Sequence, residues 1–152
     1  MNPLGNSMKA LIQRVSEASI TVAGDVISKI DKGLVVLLGI EKGDDSAALD
    51  KLLHKVSHYR VFSDSEDKMN LNVQQVDGSL LIVSQFTLAA ETQKGLRPGF
   101  SSAAPAALAE ALYEEFIAKA KAMDLVVSTG CFGADMKVAL VNDGPVTFWL
   151  SS

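Results

Sequence analysis

The chain's 152 residues, 48% of them hydrophobic, suffice for a buried core and make one domain the simplest reading. A single cysteine rules out an internal disulfide, and the longest apolar runs, Leu34 to Leu38 and Leu80 to Val83, fall far short of the roughly 20 residues that span a bilayer, so no membrane role is indicated. The net charge of −4 argues against holding nucleic acid by bulk phosphate neutralisation, so any such contact must be local.

In chain order, Met1-Asn2-Pro3-Leu4-Gly5-Asn6-Ser7 is polar and lacks the apolar centre of a secretory leader. It reads as an N-terminal extension or cloning remnant over residues 1–7, ahead of a single domain over 8–152, and the expected compartment is the cytoplasm. Val22-Ala23-Gly24-Asp25-Val26 sets a glycine and an aspartate between β-branched residues and predicts a hairpin; Asp31-Lys32-Gly33 then turns into an apolar stretch ending at Ile40. Leu34 to Leu38 has no polar alternation, which predicts a strand buried on both faces, whereas Ser19-Ile20-Thr21-Val22 alternates and predicts one wet face. Leu49, Leu52, Leu53 and Val56 recur at helical spacing behind the capping candidates Asp44, Asp45 and Ser46, predicting an amphipathic helix to about Tyr59.

Asp77-Gly78 punctuates the chain before a strongly apolar strand, Ser79 to Leu88. Pro105 suits the first turn of a helix running to about Met123, with Leu108, Leu112, Phe116 and Ala120 as its stripe and Glu115 placed to pair with Lys119. Strands follow near Val126-Val127, Lys137 to Val141 and Thr147 to Leu150. The sum is an α+β fold: a mostly antiparallel sheet with two main helices packed on it.

Among the chemical candidates, His54 and His58 have the helical spacing of a zinc pair, but Lys55 stands where a hydrolytic zinc helix needs glutamate, and both histidines lie opposite the apolar stripe. A solvated face is the plain reading. Cys131 is a lone thiol with no evident base and reads as a small packing residue. Gln93-Lys94-Gly95-Leu96-Arg97-Pro98-Gly99 offers two cations to phosphates, or is a solvated loop. Ser84 and Thr87 are hydroxyls without a G-x-S-x-G elbow or a convincing triad, so by themselves they read as polar residues at a sheet rim. Gly144-Pro145 reads as a turn before the last strand or as a built feature.

Five segments in a fixed order carry a resemblance: Leu11-Ile12-Gln13-Arg14-Val15, Lys68-Met69-Asn70-Leu71-Asn72-Val73, Ser84-Gln85-Phe86-Thr87-Leu88, Gly130-Cys131-Phe132-Gly133-Ala134-Asp135-Met136 and Asn142-Asp143-Gly144-Pro145-Val146-Thr147. From Met8 to Ser152 the chain resembles D-aminoacyl-tRNA deacylase. The resemblance implies that family's fold, a homodimer, and hydrolysis of the ester joining a D-amino acid to tRNA, with glycyl-tRNA mischarged on tRNA-Ala partly admitted because glycine has no side chain to reject. It implies the 3′-terminal aminoacyl-adenosine as the bound group and no metal or organic cofactor. Thr87, Gln85 and Phe86 become the catalytic candidates, with Thr87 as nucleophile or positioning group and the amides of Gln85, Phe86 and Phe132 as oxyanion donors. Ser84 and Phe132 line the substrate pocket. In the family, Gly144 and Pro145 match a cis pair that crosses the dimer interface and blocks L-side chains by backbone repulsion, and Arg14 matches the arginine that holds it. Cys131 departs from the longer polar residue expected in many relatives. The readings left against this are a non-catalytic module binding aminoacyl-tRNA or another nucleic acid, and a small-molecule esterase.

Overall fold

A computed structural model describes residues 7–152; residues 1–6 of the expected extension lie outside the described residues. The sheet is organised around one long strand, β1 (Lys9–Val22). Ala23 and Gly24, both at positive φ, turn the chain into β2 (Asp25–Ile30). Then β3 (Gly33–Gly39) continues along the same edge of β1, so β2 pairs with Ala18–Val22 and β3 with Lys9–Val15, all antiparallel. The chain then forms α1 (Ser46–His58), a small hairpin of β4 (Phe62–Ser63) and β5 (Met69–Leu71), and β6 (Ser79–Ser84). A 3₁₀ turn (Phe86–Ala89), α2 (Ala106–Ala122), β7 (Val126–Thr129) and β8 (Lys137–Ser151) complete it.

The sheet is mixed, not mostly antiparallel as the sequence suggests. β6 runs parallel to β3 and β7 parallel to β6. The cause lies in the connections: each helix spans one crossover, carrying the chain back to the end where the previous strand began, and that return makes the next strand parallel. The Ser28 hydroxyl donates to the Thr129 carbonyl, drawing β2 towards β7 and curling the sheet towards a barrel. The curl explains the unbroken apolar run of β3. Leu34, Val36 and Leu38 join the core beneath the helices, while Val35 packs inside the curl with Val15, Ile20, Leu81 and Val83.

Helix α1 is capped by Asp45, whose carboxylate accepts from the Ala48 amide at 2.9 Å, and buries the predicted stripe of Leu49, Leu52, Leu53 and Val56. In α2 the buried face is Ala109, Leu112, Tyr113, Phe116, Ile117 and Ala120, and Leu108 turns out to solvent. A row of residues four apart advances past a full turn at each step, so its first member drifts off the face that the central residues define. Lys119 bonds Asp50 at 2.7 Å and Glu115 at 3.0 Å, tying the helices together on their outer side.

Two boundaries differ from expectation in ways that shape the site. The strand predicted to reach Leu88 ends at Ser84, and Phe86 and Thr87 belong to the 3₁₀ turn. The two predicted C-terminal strands are one, β8, which lies along the free edge of β1 and is interrupted where Gln13 pairs with Thr147 and Val15 with Asn142. Between those pairs Asp143 to Val146 bulge out opposite Arg14, with the Gly144–Pro145 peptide bond cis.

Candidate functional site

A cavity of about 490 Å³ opens where β6 ends. Ser84, Gln85 and Phe86 form one side, Phe132 to Met136 the opposite side, and Ala103, Ala104 and Ala109 a third. Two segments picked out in the sequence, Ser84 to Leu88 and Gly130 to Met136, therefore meet across one space. They do so because β6 and β7 are parallel neighbours whose C-terminal ends lie side by side, the edge at which α/β units place ligands. Small residues keep the third wall low. Phe132 is set by Tyr113, whose ring lies 5.9 Å away and whose hydroxyl donates to the Ile82 carbonyl at 2.9 Å. Burial pushes the Tyr113 hydroxyl up to about 12, so it stays a neutral support. Sequence reasoning missed Tyr113 and the alanine wall; apolar spacing marks Tyr113 only as a helix core residue, and nothing marks the alanines.

The lip of the cavity fixes the geometry of its polar groups. The Gln85 amide is committed to the Leu38 carbonyl at 2.8 Å, so it is not among the donors free to meet a ligand. This corrects the sequence-based choice of that amide. Its side chain acts instead: Nε2 donates to the Thr87 hydroxyl at 2.5 Å. A hydroxyl that accepts from a carboxamide is held in place but has no base to take its proton, since an amide is not one. Thr87 itself stands just outside the cavity lining. The amides of Phe86 and Phe132 donate to no other described residue. For Phe86 this follows from its position, because the first N–H groups of a helical turn have no partner within it. The exposed Phe86 ring packs on Phe100 at 5.2 Å, so the loop between them rises beside the opening.

That loop contains Lys94 and Arg97, both exposed. It is pinched at its base by paired backbone bonds between Glu91 and Gly99, at 2.7 and 3.0 Å.

The bulge on β8 is the other built feature. Arg14 Nε donates to the Asp143 carbonyl at 2.9 Å and Nη1 to the Val61 carbonyl at 2.6 Å, with the Asp143 carboxylate 3.6 Å away. Its side chain is only 12% exposed, so it is not the open sheet cation that its position suggests. Gly144 has φ +129°, in the region that favours glycine, and a Cβ there would lie 2.8 Å from Val146 Cγ2 and 3.0 Å from Arg14 Nη2. Neither Gly144 nor Pro145 lines the cavity of its own chain.

Other candidates lie apart. His54 and His58 are exposed on α1, stacked on each other at 4.3 Å. Exposed Cys131 precedes Phe132, with its amide directed to Met136 Sδ at 3.4 Å. Among the described residues no group of three or more His, Cys, Asp or Glu side chains is placed to hold a metal, and no helix is long and apolar enough to cross a membrane.

Two of the segments that carry the resemblance, Ser84 to Leu88 and Gly130 to Met136, thus border one cavity, and a third, Asn142 to Thr147, forms the bulge. The family model described as D-Tyr-tRNA(Tyr) deacylase matches residues 11–151. The D-aminoacyl-tRNA deacylase of Aeromonas hydrophila is 65% identical over 143 residues, covering 94% of this chain and 99% of the relative. That of Haemophilus influenzae strain PittGG is 67% identical over 144 residues, covering 95% and 99%. A solved structure described as c-Myc DNA Unwinding Element Binding Protein superposes with a TM-score of 0.90 at 40% identity, covering 95% of this chain and 98% of that one. A probable eukaryotic D-amino acid tRNA deacylase shares the fold, with a TM-score of 0.84 at 15% identity and coverage of 96% and 100%. The chain belongs to the D-aminoacyl-tRNA deacylase family of ester hydrolases.

Proposed function

We propose that the protein hydrolyses the ester of D-aminoacyl-tRNA in the cavity between Ser84–Phe86 and Phe132–Met136, working as a homodimer in which Gly144 and Pro145 of each chain complete the cavity of the other. The carrying observation is that one chain holds two built features, an open cavity at the end of β6 and a backbone bulge fixed by Arg14, and the bulge contributes nothing to its own cavity. A bulge with no side chain at its tip meets a substrate through backbone alone. Rigid carbonyls facing the Cα substituents repel an L-side chain while leaving a D-side chain free, without recognising which side chain it is. Glycyl-tRNA, mischarged on tRNA-Ala, lacks the group to be repelled and is partly admitted.

Little acceleration is required, because an aminoacyl ester is already labile. Water adds to the acyl carbon, the Phe86 and Phe132 amides stabilise the oxyanion, and the bond to the ribose 3′-oxygen then breaks, with the neighbouring 2′-hydroxyl relaying the proton to that oxygen. Ser84 and Phe132 shape the pocket around the terminal aminoacyl-adenosine, and Thr87, held by Gln85, positions it. The reading uses no metal or organic cofactor. Lys94 and Arg97 supply local phosphate contacts at the rim, and the compartment is that of the charged tRNA, the cytoplasm.

One assay tests this against its rivals: matched D- and L-aminoacyl-tRNA and a simple ester. Rapid loss of the D-ester with the L-ester spared supports the proposal. Binding of both tRNAs without hydrolysis points to a nucleic-acid module, a reading that the name of the 40% identical structure keeps in view. Turnover of the simple ester alone points to an esterase.

A further inference from the structure

A second cleft, of about 290 Å³, lies beside the bulge and is lined by His58, Arg60, Asn70, Leu71, Asn72 and Gln75. Its polar groups are sorted by their hydrogen bonds. Asn70 Oδ1 accepts from Arg60 Nη1 at 3.2 Å, Gln75 Oε1 accepts from the Asn72 amide at 2.8 Å, and Asn72 Oδ1 accepts from the Gln75 amide at 3.0 Å. Each of these oxygens accepts a bond from within the cleft, which turns the NH₂ groups of Asn72 and Gln75 towards a ligand, while the Asn70 side chain is also hydrogen-bonded to the Asp64 carboxylate. Arg60 keeps further donors, and the nearest carboxylate, Asp64, stands behind Asn70 and is not part of the lining. In a chain of net charge −4, this is a local polar surface with carboxamide donors and one fixed cation. His58 Nδ1 is engaged with the His54 carbonyl at 3.0 Å, and Arg60 is the fixed charge of the lining.

The cleft is tied to the bulge on both sides of Arg60. The Val61 carbonyl accepts from Arg14, and the Tyr59 ring packs on Phe148 at 5.5 Å, close to the bulge on β8. We infer that the cleft of Arg60, Asn72 and Gln75 is a phosphate site for the RNA strand that leads to the terminal nucleotide, contacted in trans by a tRNA seated in the partner's cavity. The inference rests on the dimeric reading above: a bulge that enters the partner's cavity carries the cleft to that cavity's rim. A planar guanidinium with amide donors around it suits a phosphodiester oxygen pair.

The test compares D-aminoacyl-tRNA with D-aminoacyl-adenosine, which has the ester and terminal nucleoside but no phosphodiester, using the full dimeric protein and two variants, Arg60→Gln and Asn72→Asp. Arg60→Gln is expected to raise KM for the tRNA by about tenfold at low salt and to lower the slope of log affinity against log salt by about one phosphate contact. Asn72→Asp, which places a carboxylate in the cleft, is expected to raise that KM as well. Both should leave kcat and the rate on D-aminoacyl-adenosine unchanged. Unaltered tRNA kinetics and salt slope in both variants would overturn the inference, as would equal losses on the two substrates, which would mark a structural role. A parent enzyme inactive on D-aminoacyl-adenosine and on D-aminoacyl-tRNA would instead remove the functional reading itself.

Discussion

Arg14 lies against the α-carbon of Gly144: a Cβ built there would be 3.0 Å from its Nη2, while its Nε donates to the carbonyl of the preceding residue, Asp143, at 2.9 Å. Glycine is what lets the guanidinium close over the bulge, and the guanidinium is what holds the bulge in shape. Gly144→Ala should therefore shift the loop, since a non-glycine residue in such a conformation costs on the order of 1–3 kcal/mol. Deacylation of D-aminoacyl-tRNA should fall about tenfold or more, at about 1.4 kcal/mol per decade. Single-turnover rates check this, and an unchanged rate would mean that the bulge does not meet the substrate.

Arg14→Lys tests the other half of the relationship. A lysine keeps the charge but cannot reach the Asp143 and Val61 carbonyls together, because its ammonium is a single point where the guanidinium is a fork. D-aminoacyl-tRNA deacylation should fall by roughly tenfold, and the ratio of D to L rates should narrow as the bulge loosens. Rates on both esters check it; parent-like values would show that the charge alone suffices.

Thr87→Ala should retain a substantial part of the activity, because the partner of the hydroxyl is the carboxamide of Gln85, which donates to it and cannot take its proton. A substrate ending in 2′-deoxyadenosine should react poorly. Both are read in single-turnover deacylation. The opposite pattern, with a trapped acyl-Thr87 intermediate, would assign Thr87 as the nucleophile.

The pH dependence of stability should carry the mark of Asp44. Burial raises its carboxyl from 3.8 to about 6, although it accepts from the Glu41 amide at 2.7 Å. Its neighbours are the Glu41 and Asp45 carboxylates, which oppose its ionisation, and Lys9, which favours it. A raised acid binds its proton more tightly in the folded state, so its contribution falls as pH rises from about 4 to about 6 and stays low above that. An asparagine in its place keeps an acceptor for the Glu41 amide without the buried charge. Asp44→Asn should thus be more stable than the parent at pH 8 by about 1–2 kcal/mol, a gap that closes towards pH 4. Urea unfolding at both pH values checks the sign.

Local chemistry explains which parts were legible in the sequence. Helix α1 was readable from its cap and stripe, because Asp45 and the Leu49 to Val56 spacing act within a few residues of each other. The parallel pairing of β3, β6 and β7 was not, since strand direction is set by crossovers and leaves no mark on the strands themselves. The segment Ser84 to Leu88 was readable as a motif, but not as a 3₁₀ turn that spends the Gln85 amide on Leu38. Hydrogen-bond commitments of this kind appear only once the neighbouring strand is in place. Arg14 and Asp143 lie far apart in sequence, and only the resemblance linked them; the bulge register supplies the physical reason.

The central claim, that one chain's bulge completes the other's cavity, is tested most directly by complementation. Ala103→Trp fills a wall of the cavity and leaves the bulge intact, and Gly144→Ala does the reverse. Each homodimer should be nearly inactive on D-aminoacyl-tRNA. Once the two are mixed and allowed to exchange subunits, half the dimers are mixed, and each mixed dimer has one site with an open cavity and a parent bulge. The account predicts recovery to about one quarter of parent activity. No recovery, with mixed dimers demonstrated, would contradict it.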